Sequence, residues 1–115
     1  MEIRICRGRL EIYVKSLWMG RDILIFVQGG DAHIGAVSMA SKGKIIFSGA
    51  MPHHRELELT EDLSIFFSGK LDCTSCVCMG IHYDEITQTE IDEIRHIIHS
   101  TLPAFSDILA DGLVS

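Results

Sequence analysis

Three short segments of the sequence gather residue types that bind phosphate or metal ions. The first is "GGDAH", in which Gly29 and Gly30 precede His33. Paired glycines permit positive φ angles, so that neighbouring backbone N–H groups can converge on an anion. His33 adds an imidazole for a phosphate or a metal ion. The spacing does not fit a P-loop or a dinucleotide-binding fingerprint, and the alternative is a glycine-containing hairpin turn with an exposed histidine.

The second segment is "GIHYDEIT", which follows a predicted strand and precedes a predicted helix. His82 stands at this junction, and ligands often bind where strand C-termini face helix N-termini. Asp84 could orient His82 or coordinate a metal ion itself. The alternative is an ordinary connecting loop in which Asp84 forms an Asx-turn.

The third segment is "MPHHRELE", with two histidines, an arginine and a glutamate in succession. Arg55 offers a bidentate fork for phosphate or carboxylate, and His53 or His54 with Glu56 could complete a divalent-metal site. The alternative is a solvated loop before a helix. If the three segments converge, they form a histidine-rich site with Arg55 near an anion.

The cysteines form a weaker pattern. Cys73, Cys76 and Cys78 have Cys-x2-Cys-x-Cys spacing, but a structural zinc site usually needs a second ligand pair, and only Cys6 is left. In a strand, Cys76 and Cys78 share one face and Cys73 points to the other. We therefore interpret them as small apolar residues, with a zinc- or redox-responsive role as the alternative.

Apolar patterning predicts the elements that position these segments. "EIRICRGRLEIYVKSLW" alternates on either side of a turn at residues 7–9, and residues 22–28 form a nearly continuous apolar strand. "HIGAVSMA" and "KIIFSGA" predict two strands joined by a turn at residues 41–43.

The second half of the chain predicts helices. Thr60 is expected to cap a helix that ends at Gly69, and "CTSCVCMGIH" is expected to form a strand. Thr87 and Glu90 form a capping-box pattern at the start of "TQTEIDEIRHIIHS", and Pro103 should stop that helix. The predicted fold is α+β: one domain over residues 1–115, a mainly antiparallel sheet, and two helices packed on one face.

Composition excludes several classes of function. The net charge is −6 and no basic stripe is present, so nucleic acid is not an expected partner. The longest apolar run, about six residues, is far below the ~18 that span a bilayer. The charged N-terminus does not resemble a signal peptide, so we expect a cytoplasmic protein with reduced thiols. No nucleophile elbow or paired carboxylates indicate an independent enzyme.

The order "GGDAHIGAV", "HHRE" and "GIHYDEIT" resembles the LpdD-like family over about residues 24–98. Members of that family are prenylated flavin chaperones, also described as accessory subunits, of UbiD-like decarboxylases that act on gallate and related aromatic acids. The resemblance departs at Ala32, where family members often have proline, and at the cysteine-rich strand.

The resemblance implies binding of prenylated FMN, with a divalent metal ion near its phosphate, and assistance to a UbiD-like decarboxylase. A carrier needs no catalytic group, and an open site in a small domain with sheet edges favours a homo-oligomer. The alternative is a small metal-dependent enzyme that uses His33, His82 and His53 or His54. The cofactor-binding residues expected from the motifs are Gly29, Gly30, His33, Gly35, Arg55, Gly80 and His82, and the expected metal ligands are His33, His82, His54 and Glu56.

Overall fold

The computed structural model describes residues 1–52 and 56–110. Within them, six strands form one sheet and helical segments follow the fifth and sixth strands. This confirms the predicted α+β fold with a mainly antiparallel sheet. The strands are β1 Glu2–Arg7, β2 Leu10–Met19, β3 Asp22–Gly30, β4 Ala36–Ser41, β5 Lys44–Ala50 and β6 Thr74–His82. The helices are α1 Leu57–Leu71, α2 Gln88–His96, α3 Leu102–Ala104 and α4 Ser106–Leu109, with a π-helical turn at Ile97–Thr101.

The strand order, β1-β2-β3-β6-β4-β5, determines where a site can form. Every neighbouring pair is antiparallel except β3 and β6, which run parallel. Strand β6 therefore lies between β3 and β4, although these two strands follow one another in the chain. Two consequences follow. The segment that joins β3 to β4 must cross β6, and the C-terminal ends of β3 and β6 lie next to each other at the same end of the strands.

One face of the sheet carries the core. Alternate residues of the central strands, such as Val14, Ile25 and Val77, are fully buried against the helices. Helix α1 contributes Leu63 and Phe67 to the same cluster. The residues between them on each strand point to the opposite face, which we call the outer face. Many of its side chains are half-buried or exposed. In the described part of the chain, every helix is too short or too polar to cross a lipid bilayer.

Helix α1 begins earlier than the sequence predicts. Its N-cap is Glu56, and Thr60 lies inside the first turn rather than capping it. Thr60 is fully buried, donates a 2.8 Å hydrogen bond to the Leu57 carbonyl and accepts one of 2.7 Å from Ser38. The predicted end at Gly69 is also wrong, because the helix continues to Leu71 and Asp72 adopts the left-handed conformation at its C-cap.

The start of the second predicted helix is confirmed as the start of α2, and its predicted end is wrong. Thr87 Oγ1 accepts from the Glu90 N–H at 3.1 Å, and the Glu90 carboxylate accepts from the Thr87 N–H at 3.0 Å. Pro103 does not stop the chain from being helical, since α2 continues through the π-helical turn into α3. Pro103 is the second residue of α3, directly after the π-helical turn Ile97–Thr101.

Candidate functional site

Residues 31–35, the crossing loop, connect β3 to β4 by passing over the outer face of β6 at Gly80. A Cβ on Gly80 would overlap the His33 carbonyl oxygen and lie 2.5 Å from its carbonyl carbon. Gly80 is therefore required to be a glycine for the loop to cross. The loop is pinned on its far side, where the Gly35 N–H donates to the Met79 carbonyl at 2.9 Å. The strand predicted from His33 accordingly begins only at Ala36.

The first part of the motif turns the chain away from the sheet. Gly30 is paired with His82 and has a φ of +64°, which a glycine adopts at no steric cost. The next residue, Asp31, donates its N–H to the His82 carbonyl at 3.0 Å. The stretch is thus not a hairpin turn, and the Asp31 N–H within it is already bonded. Gly29 faces the core, where a Cβ would lie 2.7 Å from Ile12 Cδ1.

The crossing brings the two predicted histidines together. The ring centroids of His33 and His82 are 6.4 Å apart, and the rings meet edge to face at 78°. His33 Nδ1 lies 3.0 Å from the Asp31 carbonyl oxygen, which only accepts hydrogen bonds. A hydrogen bond to that oxygen needs the proton on Nδ1, and in that tautomer Nε2 carries the lone pair that a metal ion needs.

Glu56 places a buried carboxylate beside this pair. It is only 8% exposed, and its Oε1 lies 3.9 Å from His33 Nε2 and 3.4 Å from the Ile81 N–H. A Cβ on Gly35 would lie 3.0 Å from Glu56 Oε2, so the crossing loop packs directly on the carboxylate. Glu56 is also the N-cap residue of α1, so it lies at the positive end of that helix.

Ligand atoms suited to a metal ion also lie around His82. Asp31, His82 and Asp84 each offer one atom, and these atoms all lie within 4.8 Å of one another on the surface. His82 Nε2 is 3.2 Å from Asp84 Oδ1. Imidazole and carboxylate together suit divalent cations such as Mn²⁺ and Zn²⁺. Sequence reasoning singled out His82 and Asp84 but left Asp31 out of the ligand set, although Asp31 directly follows the paired glycines.

The segment that carries His82 and Asp84 is fastened to the β1–β2 hairpin by Arg9. The guanidinium donates to both carboxylate oxygens of Glu90, at 2.6 and 3.0 Å, and to the Asp84 carbonyl at 2.8 Å. It also lies over the Tyr83 ring, 5.5 Å from the centroid. Arg9 lowers the pKa of Glu90 to about 2, and the pKa of Arg9 is raised in return.

Tyr83 makes a second attachment to the same hairpin. Its hydroxyl accepts from the Glu11 N–H at 2.8 Å and donates to the Glu11 carbonyl at 3.2 Å. Sequence analysis missed both Arg9 and Tyr83, because their partners are more than 70 residues away in the chain. Neither side chain stands in a motif. They hold the segment between β6 and α2 in place, and with it the position of Asp84.

A groove on the outer face opens next to this site. It has a volume of about 310 Å³ and is lined by Glu2, Tyr13, Lys15, Phe26 and Gln28. Gln28 and Phe26 precede Gly30 on the same face of β3, so the groove begins about 7 Å along the strand from the glycine that pairs with His82. The site therefore combines a polar end, made of histidines and carboxylates, with a groove walled by two aromatic rings.

The site residues of the third predicted segment are only partly described. His53, His54 and Arg55 lie outside the described residues, whereas Glu56 is described above. Of the remaining predicted residues, Gly30, His33, Gly35, Gly80 and His82 gather where the crossing loop meets the ends of β3 and β6. Gly29 is adjacent to them but buried toward the core.

Comparison with known families identifies the chain. The family model for the prenylated flavin chaperone LpdD-like domain matches residues 6–110, which includes all three motifs and nearly the whole chain. A comparison with curated proteins gave no match. Because the family model extends over far more than half of the sequence, the chain belongs to the LpdD-like family of prenylated flavin chaperones.

Proposed function

We propose that this protein binds prenylated FMN, with a divalent metal ion at its phosphate, and assists the maturation of a UbiD-like aromatic-acid decarboxylase. Membership of the chaperone family supports the flavin as ligand. The observation that carries the proposal is the crossing loop, which brings His33 next to His82 and Glu56. No reaction is assigned to these side chains, because a carrier must bind its cofactor and release it again, and neither step requires a nucleophile.

The polar end of the site is suited to the phosphate end of the cofactor. A phosphate dianion among the carboxylates of Asp31, Asp84 and Glu56 would be repelled unless a cation lies between them. The donor set of imidazole nitrogens and carboxylate oxygens fits a divalent ion. Bound there, the ion would supply charge neutralisation between protein and phosphate. His33 and His82 would hold it in their neutral forms.

The groove is suited to the ring system of the cofactor. Tyr13 and Phe26 offer aromatic surface, and each stacking contact with a flat ring contributes about 0.5–1.5 kcal/mol. Gln28 offers an amide that both donates and accepts hydrogen bonds, which suits the polar edge of a flavin. Phe26, Gln28 and Gly30 lie in this order on one face of β3. This order would place the phosphate at the end of the strand and the ring toward the middle of the sheet.

The test is an absorption spectrum of the purified protein. The chain is co-expressed with a flavin prenyltransferase, purified without oxygen and titrated with Mn²⁺ or a chelator. We expect a bound flavin chromophore that weakens on chelation and is lost in His33→Ala. His99→Ala is the matched control, because His99 bonds to Asp62 away from the site. Wild-type protein that stays colourless with and without metal would refute the proposal, and metal-dependent hydrolysis would then be measured.

We further propose that the protein forms a homo-oligomer. The edge strand β5 exposes Ile46 and Phe47, at 63% and 57%, and such an edge favours association. Light scattering of the wild type should give more than the monomer mass of 12.8 kDa, and Phe47→Ser should shift it toward the monomer. A wild-type protein that stays monomeric at all concentrations would exclude the homo-oligomer.

We also propose a cytoplasmic location, which the four free thiols support.

A further inference from the structure

Two cysteines that the flavin site does not use lie side by side on the outer face of β6. Cys76 and Cys78 alternate with Ser75, Val77 and Met79, which are buried in the core. Both cysteines are half-buried rather than exposed. Cys73 precedes the strand and is buried in the core cluster. The three-cysteine pattern of the sequence therefore divides into one core thiol and a pair of thiols that share one face.

The neighbours of this pair are apolar, and one of them adds a third sulfur. In the sheet register Cys76 lies between Leu24 of β3 and Met39 of β4. Directly opposed side chains of an antiparallel pair have Cβ atoms about 4.5–5.5 Å apart, so the Met39 thioether is within reach of Cys76. Cys78 lies between Phe26 and Val37 in the same way.

The acid–base properties of the pair disfavour a redox-sensing role. Burial raises the pKa of both thiols, and the proximity of Cys76 raises that of Cys78 further. Both are therefore thiols at neutral pH, whereas reactive cysteines are thiolates with lowered pKa values. Burial also raises the pKa of Cys73. What the pair offers instead is two sulfur ligands that lose their protons when a metal ion binds.

We propose that Cys76, Cys78 and Met39 form a binding site for a soft monovalent cation of the Cu(I) class, with no ligand in common with the flavin site. On binding, two sulfur–metal bonds form and the two thiol protons leave to solvent, with no change in oxidation state. The Met39 thioether adds a neutral third ligand. Thiolate and thioether ligands select Cu(I), whereas structural zinc sites have four ligands, typically all cysteine or cysteine with histidine. The apolar neighbours Leu24, Phe26 and Val37 disfavour a strongly hydrated ion.

The test is an anaerobic competition for Cu(I). Metal-free, flavin-free protein is titrated against Cu(I) held by the chromophoric chelator bicinchoninate, and the loss of chelator absorbance is measured. We expect one copper per chain and two protons released per copper in weakly buffered solution. Cys76→Ser and Cys78→Ser should each weaken binding at least 100-fold, and Met39→Leu about tenfold, because the thioether is the weaker ligand.

Two control variants separate this site from the rest of the chain. Cys73→Ser removes a thiol on the other side of the sheet and should bind Cu(I) as the wild type does, once its thermal unfolding shows that it is folded. His82→Ala should also keep full copper affinity while losing flavin binding, so the copper proposal and the flavin proposal can be refuted separately. Equal loss in Cys73→Ser and Cys76→Ser, or loss in His82→Ala, would overturn the assignment.

A measurement on the wild type avoids any dependence on folded variants. X-ray absorption of the copper-loaded protein should show sulfur ligands alone. Nitrogen or oxygen ligands, failure to compete with the chelator, or displacement of Cu(I) by equimolar Zn²⁺ would each refute the proposal.

Discussion

Replacing Gly80 with alanine should displace the crossing loop and separate His33 from His82. The added Cβ would overlap the His33 carbonyl oxygen and lie 2.5 Å from its carbonyl carbon and 3.1 Å from its nitrogen. The atoms in the way belong to the backbone, so no side-chain rotation relieves the overlap. The carbonyl group must move outward by about 2 Å to bring its oxygen to ordinary contact distance.

The loop cannot make that movement without straining or breaking the hydrogen bonds that hold it. It is held at one end by the hydrogen bond from Asp31 to the His82 carbonyl and at the other by that from Gly35 to the Met79 carbonyl. Overpacking of this kind costs about 1–3 kcal/mol, and each hydrogen bond contributes about 0.5–1.5 kcal/mol. We therefore expect Gly80→Ala to lower the free energy of unfolding by about 2–6 kcal/mol.

Urea denaturation followed by circular dichroism measures this change, and flavin titration of the folded variant measures the effect on the site. Gly69→Ala is the matched control, since Gly69 lies within α1 and its Cβ would be 3.6 Å from the nearest atom, Gly43 Cα. There, alanine should stabilise the helix by about 0.5–1 kcal/mol. A Gly80→Ala protein with wild-type stability and wild-type flavin affinity would refute the reasoning.

Substitutions at three further positions test the surrounding structure. Because Arg9 lowers the pKa of Glu90 to about 2, their pairing stabilises the fold above the ordinary glutamate pKa and is lost as the pH falls toward 2. The difference in Tm between wild type and Arg9→Gln should therefore shrink over that range, and a constant difference would contradict the pairing. Thr87→Ala should lower the free energy of unfolding in urea by about 1 kcal/mol through loss of the cap, and Thr87→Ser should restore most of it. Thr60→Val, which leaves the buried Ser38 hydroxyl without its acceptor, should lower it by about 1–3 kcal/mol, whereas equal stability of Thr60→Ser and Thr60→Val would exclude that role.

The sequence predicts the elements well where the signal is local. Alternating apolar residues and the turns at residues 7–9 and 41–43 account for β1, β2, β4 and β5, and the Thr87–Glu90 capping box is present as predicted. The errors at Thr60 and Pro103 have one cause. Both residues carry a strong local preference that the rest of the fold overrides. Thr60 satisfies its hydroxyl inside the core, and Pro103 follows a π-helical turn within a continuous helical segment.

The site was less predictable than the elements. The motifs contain His33, His82 and Glu56, but nothing local to them specifies that β6 inserts between β3 and β4. Without that topology, nothing in the sequence explains why residue 80 is a glycine, and "GGDAH" is equally compatible with a hairpin. The same insertion explains why Arg9 and Tyr83 escaped notice, since their contacts exist only once distant strands are neighbours.

The insertion of β6 also determines when the site can exist during folding. Until β6 is in place, the sheet consists of two separate units, β1–β2–β3 and β4–β5, tied together by the crossing loop alone. Strand β6 is the last of the six to leave the ribosome, and its pairing with β3 closes a chain segment of roughly 50 residues, a slow event by comparison with hairpin formation. His33 then meets His82 in the same step that completes the sheet. A chain without β6 in place cannot hold the site together, so the residues proposed to bind the cofactor come together only when the sheet is complete.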